Sequence, residues 1–133
     1  MSFMQTSERI FCGLLCYKAT MGKNFNHFMK KEFLIITTTY PKLSEAKKLA
    51  KILLIKKLAA CVQFTKIESC FNWQNKISNE KEILVSIKTK ANFYKKIEKE
   101  ILANHHYKTP QIVATKIEQG FSSYLDWIES SAR

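Results

Sequence analysis

Two adjacent imidazoles, His105 and His106, are the side chains of this chain best suited to chemistry near neutral pH. Neutral imidazole is the commonest ligand for Cu(II) and Zn(II), and thiolate suits Cu(I), so a copper or zinc site is the first chemistry to weigh. Consecutive side chains on extended backbone point to opposite sides, so the pair cannot clamp one ion unaided. A metal centre would need Cys61, Glu82 or a residue of a neighbouring subunit as a further ligand. The competing reading makes His105 a cap of the preceding helix or a hydrogen-bonding member of a turn. Four cysteines, Cys12, Cys16, Cys61 and Cys70, form no Cys-x-x-Cys pair and no zinc-finger spacing. Cys61 falls in an apolar strand and is expected to be a small buried core residue, and the thiol pattern suits a reducing, cytoplasmic setting. No Ser-His-Asp or Cys-His spacing is recognisable, and three glycines cannot build a glycine-rich phosphate loop, so the expectation is a protein that is not an enzyme.

These residues are carried by one domain. With 46% hydrophobic and 25% charged residues, 133 residues can bury a proper core. The 22 Lys+Arg against 11 Asp+Glu leave a formal +11, which favours anionic surroundings. Only two of those cations are arginines, Arg9 and Arg133, and bidentate recognition of phosphate or guanine draws on arginine. Nucleic acid is therefore not the expected partner, and no apolar run reaches the length of a membrane span. Residues 1–31 hold five cations against the single acid Glu8 and lack a small-residue cleavage site. They are expected to be a disordered or loosely helical, dispensable extension, with Met29 as a second candidate start and the folded domain at residues 32–133.

From Phe33, FLIITTTY reads as a strand stopped by Pro41. Ser44 is placed to cap a helix that buries Ala46, Leu49, Ala50 and Leu53 and turns Lys47, Lys48 and Lys51 to water. A second strand begins near Ala59. Its apolar alternation changes phase between Val62, Phe64 and the later Ile67, Phe71, Trp73, which predicts a β-bulge near Thr65 or Lys66. Residues 74–76 turn the chain, and Ile83, Val85 and Ile87 alternate on the return. A helix from about Thr89 buries Phe93, Ile97 and Ile101 and ends near Asn104. A strand at residues 111–117 and a short helix after Gly120 follow. The order β-α-β-β-α-β with an extra C-terminal helix predicts an α+β, ferredoxin-like sandwich with a long central hairpin and both central helices on one sheet face. The bare face, with Phe71, Trp73 and the apolar residues of the returning strand as contributors, demands a partner.

The residues His105, Tyr107, Pro110, Gly120, Tyr124, Leu125 and Trp127 occur in the order and spacing of one known C-terminal signature. Upstream, Ala60-Cys61-Val62 and the set Trp73, Lys76, Ile77, Glu82, Lys88 and Thr89 agree with it. On these residues the chain, from about Glu32 onward, resembles the CutA family of divalent-cation tolerance proteins. The resemblance implies a tight homotrimer in which long hairpins pair between subunits, and a role in the response to metal ions such as copper. It also implies an inter-subunit cleft, to which Cys61, Trp73, Glu82, Lys88, His105 and Tyr107 correspond, open to a divalent metal or a small anionic ligand. Relatedness of design to the PII signalling proteins adds the expectation of a sensor read by another protein. Three departures bear on this: His106 stands for the usual proline, Gln111 for the usual glutamate and Asn75 for the usual glycine, while Thr38 occupies a position where some relatives carry a cysteine. Two rivals share the element order. An RNA-recognition module would need aromatic residues on its third strand, where residues 81–88 read KEILVSIK. An acylphosphatase-like enzyme would need an arginine cradle that the domain lacks.

Overall fold

The computed structural model describes residues 30–133, so the expectation for residues 1–29 of the extension lies outside the described residues. Strand β1 (Phe33–Tyr40) leads into helix α1 (Leu43–Ile55). The long strands β2 (Cys61–Trp73) and β3 (Lys76–Lys90) follow, then a 3-10 turn (Ala91–Phe93) and helix α2 (Tyr94–Ala103). Strand β4 (Val113–Lys116) and helix α3 (Ser122–Ser131) end the chain. The four strands form one sheet in the order β2-β3-β1-β4, and every neighbouring pair is antiparallel. This is the ferredoxin-like α+β arrangement that the element order predicts.

Helix α1 forms because Ala46, Leu49, Ala50 and Leu53 recur at helical spacing, and all four are buried. Lys42, not Ser44, is its N-cap, and no side chain caps it; Pro41 just upstream already fixes the entry, so Ser44 rides inside the first turn. The helix stops on Lys57, whose φ is 54°. Its N–H donates to the Leu54 carbonyl at 3.1 Å, and the Leu58 N–H donates to the Leu53 carbonyl at 2.9 Å. That pair of bonds is the Schellman terminus, here with lysine where glycine is favoured. In α2, Ile97 and Ile101 are buried, with Phe93 just ahead of them.

The core lies between the helices and one sheet face. Register places Ile36 opposite Ile87, Thr38 opposite Val85 and Tyr40 opposite Ile83, all buried. Ile83, Val85 and Ile87 therefore point at the helices and do not contribute to the bare face, because that face is set by the even-numbered residues of β3.

The β2–β3 ladder runs from the Cys61–Lys88 pair to the Trp73–Lys76 pair without skipping a residue, so the predicted bulge is absent. The change of apolar phase has another cause. Val62 and Phe64 point toward the helices and pack on the core, whereas Ile67, Phe71 and Trp73 point to the opposite face. The buried side of the hairpin switches while its backbone stays regular. At its tip Gln74 (φ 48°) and Asn75 (φ 62°) make a two-residue turn in the left-handed region, which asparagine tolerates in place of glycine.

A candidate cleft on the bare sheet face

Between α2 and β4 the chain must cross from the helix layer to the sheet edge, and His105 holds that crossing. Its Nε2 lies 2.7 Å from the Thr39 carbonyl, and its Nδ1 accepts the Tyr107 N–H at 3.1 Å. The two contacts assign the neutral tautomer with the proton on Nε2. The ring also stacks on Tyr40, centroids 4.3 Å apart, and leans on Tyr107 at 4.9 Å. Both ring nitrogens are thus committed to backbone. His106 is largely exposed, with Nε2 3.9 Å from Glu45 Oε1. Among the described residues no group of three His, Cys, Asp or Glu side chains is arranged to hold a metal ion. The described residues of one copy do not by themselves form a metal centre.

By fixing Tyr107, His105 also fixes the cleft. The Tyr107 hydroxyl donates to Glu82 Oε1 at 3.3 Å. Glu82 points to the bare face, flanked along β3 by Glu80 and across the ladder by Ile67. A cavity of about 900 Å³ opens there, lined by Phe71, Trp73, Glu80, Glu82, Tyr107 and Lys108 among others. Burial, then the carboxylates of Glu82, Glu80 and Glu45, raises the Tyr107 hydroxyl above its usual range. Tyr40, beneath the His105 ring, is pushed up to about 12, chiefly by burial and secondarily by Glu45. The cleft is therefore a locally negative spot on a chain that carries +11 overall.

The residues singled out from the sequence fall into two groups within one chain. Trp73, Glu82, His106 and Tyr107 line the cavity. Cys61 and Lys88 sit opposite each other at the far end of the ladder. Six residues of strand separate Lys88 from Glu82, about 20 Å, so they cannot pair within a chain. Lys88 Nζ instead donates to the Gln63 side chain. Cys61 is half-buried on the bare face, not a core residue, because the even-numbered residues of β2 are the ones that face the helices. Glu80, Phe71 and Ser78 belong to the cleft and were not singled out for it. Their signal was present: Ser78, Glu80 and Glu82 alternate at i, i+2, i+4 on one strand face.

A four-stranded antiparallel sheet with helices on one side, a long hairpin and a cleft on its bare side defines a ferredoxin-like α+β protein. The profile described as CutA1 divalent ion tolerance protein matches residues 34–131. The divalent-cation tolerance protein CutA of Archaeoglobus fulgidus is 43% identical over 96 residues, which cover 72% of this chain and 94% of that one. A chloroplastic CutA of Arabidopsis thaliana is 35% identical over 75% of this chain and 56% of its own length. The solved structure of the periplasmic CutA from Archaeoglobus fulgidus superposes with a TM-score of 0.74 at 40% identity, covering 76% of this chain and 99% of that one. The chain belongs to the CutA1 divalent ion tolerance family. Chloroplastic and periplasmic members occur, so the family is not tied to one compartment. Among the described residues no helix is long and apolar enough to cross a membrane.

Proposed function

We propose that this protein is a non-catalytic, homotrimeric binding protein of the cytoplasm, acting in the response to divalent metal ions, with its ligand cleft on the bare face where copies meet. The observation that carries this reading is the switch of the apolar side along an unbroken β2–β3 ladder. Phe71 and Trp73 are 40% and 55% exposed in a single chain. A hairpin arm that extends past its own helices and is apolar on the far side calls for cover by another copy. A closed ring of three also covers the long edge of β2, which no other strand among the described residues pairs with. Copper or zinc enters this reading only as an ion shared between copies, since the described residues of one chain hold no group of three converging ligands. Cys61, Trp73, Glu82, Lys88, His106 and Tyr107 are the residues that the ring would bring into or near the shared cleft, with His105 as the residue that positions Tyr107. The family is named for ion tolerance and not for a reaction, which supports a sensor rather than a catalyst.

The test is a set of backbone amide spectra of the full chain, metal-stripped and then titrated with Cu(II), Zn(II) and nucleotides. Shifts confined to the hairpin and residues 105–111 are expected for at least one of them. Identical spectra throughout would overturn the sensor reading.

A further inference from the structure

The helix layer lies on the opposite side of the sheet from the bare face, and its outer side carries much of the chain's charge. Residues 42–57 and 94–103 hold nine lysines and three acids, which makes six of the eleven excess positive charges of the whole chain. The acids do not neutralise this surface. Glu100 is taken by Lys56 and Glu98 by Lys95, and Glu45 turns toward His106. Lys47, Lys48, Lys51 and Lys57 are exposed and make no ion pair among the described residues. Their placement is continuous. Lys47, Lys48 and Lys51 fall within about one turn of α1, and the same stripe runs on, three and four residues past Lys51, to Leu54 and Ile55. The Lys56–Glu100 pair ties the end of that stripe to α2, where Lys96 lies one turn before Glu100 and Lys99 beside it, both exposed. Leu54 is 45% exposed and Ile55 69%. Two large aliphatics among unpaired lysines are the elements of adsorption to a bilayer: the apolar side chains enter the acyl boundary and the cations meet anionic headgroups. Lysine suits this geometry, since its stem lies along apolar surface while its ammonium stays at headgroup level. Nucleic acid is the weaker match. Its phosphates offer nothing to Leu54 and Ile55, and α1 has no arginine for bidentate contacts and no aromatic ring for bases.

We infer that the outer side of α1 and its C-terminal turn, from Lys47 to Lys57, dock on an anionic bilayer surface, with the lysines against lipid phosphates and Leu54 and Ile55 inserted at the acyl boundary. The helix lies on the surface and spans nothing, in keeping with the finding that no helix among the described residues is fit to cross a membrane. This inference goes beyond the cleft reading and does not rest on it, because α1 and the bare face are on opposite sides of the sheet.

The experiment is flotation of the full chain with vesicles of phosphatidylcholine alone and of equal parts phosphatidylcholine and phosphatidylglycerol, at low and at raised sodium chloride. Saturable binding to the anionic vesicles only is expected, weakened by salt. A lysine near an anionic surface is worth about fivefold in partitioning, so the double variant Lys48→Ala/Lys51→Ala is expected to bind about twenty-fold more weakly. Ile55→Ser removes the more exposed aliphatic and is expected to weaken binding about fivefold. All three of these side chains are exposed, so circular dichroism and native mass should match wild type and separate lost binding from lost fold. Failure of the wild type to float with anionic vesicles overturns the inference. Equal binding by the double lysine variant also does, because the contact would then lie elsewhere on the chain. Binding that Ile55→Ser leaves unchanged overturns it as well, since charge alone would account for it. Retention of duplex RNA or DNA by the wild type at a salt concentration that strips it from vesicles overturns it in favour of nucleic acid.

Discussion

Replacing His105 by alanine separates a structural histidine from a metal ligand. The side chain gives up a 2.7 Å contact to the Thr39 carbonyl and a 3.1 Å contact from the Tyr107 N–H. Each such hydrogen bond contributes about 1 kcal/mol net. The stacked contact with Tyr40 adds about 1 kcal/mol beyond its buried area. Since the exposed Tyr107 region can turn to water for part of the loss, the expected destabilisation is about 2–3 kcal/mol. His105→Phe keeps the stack and loses both polar contacts, so its cost should be smaller by about 1 kcal/mol. The assay is urea unfolding of the full chain at fixed protomer concentration, because assembly links stability to concentration. Copper and zinc affinity measured on the same proteins should change no more than the loosened loop requires. A His105→Ala protein that is as stable as wild type but has lost all metal binding would refute the assignment of both ring nitrogens to backbone.

Three further outcomes follow from local geometry. Thr38 is fully buried and its Oγ1 has no hydrogen-bond partner, so Thr38→Val should raise stability by about 1 kcal/mol in the same urea assay. Lys57 ends α1 at φ 54°, so Lys57→Gly should stabilise by roughly 0.5–1 kcal/mol, read as a higher unfolding midpoint with unchanged slope. Tyr40 has its hydroxyl raised to about 12 in the folded chain against an ordinary value near 10, so the folded state holds this proton more tightly. Its contribution is complete below pH 10 and is lost as the pH climbs to 12, by roughly 2–3 kcal/mol in all. Tyr107 acts in the same direction. A stability profile across that window should flatten in Tyr40→Phe, and an unchanged profile would refute the assignment.

The element order was legible because each segment carries its own period: two in FLIITTTY, and three to four in the helix that buries Ala46, Leu49, Ala50 and Leu53. What failed was the inference from pattern to backbone. The phase change after Phe64 looks like an inserted residue when one side of a hairpin is assumed to be buried throughout. In this chain the helices cover only the near half, and the apolar side changes where their cover ends. The same assumption put Ile83, Val85 and Ile87 on the bare face and Cys61 in the core. Strand β4 is shorter than its apolar run suggests, four residues, because only those pair with β1. For the cleft, Trp73, Glu82 and Tyr107 were recoverable through resemblance, but their distance from Lys88 could have been taken from strand spacing alone. The double commitment of His105 was not recoverable in that way. It depends on Thr39, sixty-six residues earlier, and only the folded sheet brings the two together.

The central claim is that the far half of the hairpin is an interface between copies of this chain. The measurement that tests it most directly is the native mass of the full 133-residue chain, alone and as Trp73→Lys, at micromolar concentration. The account predicts a wild-type particle of three times the 15.5 kDa chain mass, and loss of that particle when a charge is placed at Trp73. A wild-type monomer, or a trimer indifferent to Trp73→Lys, would contradict it.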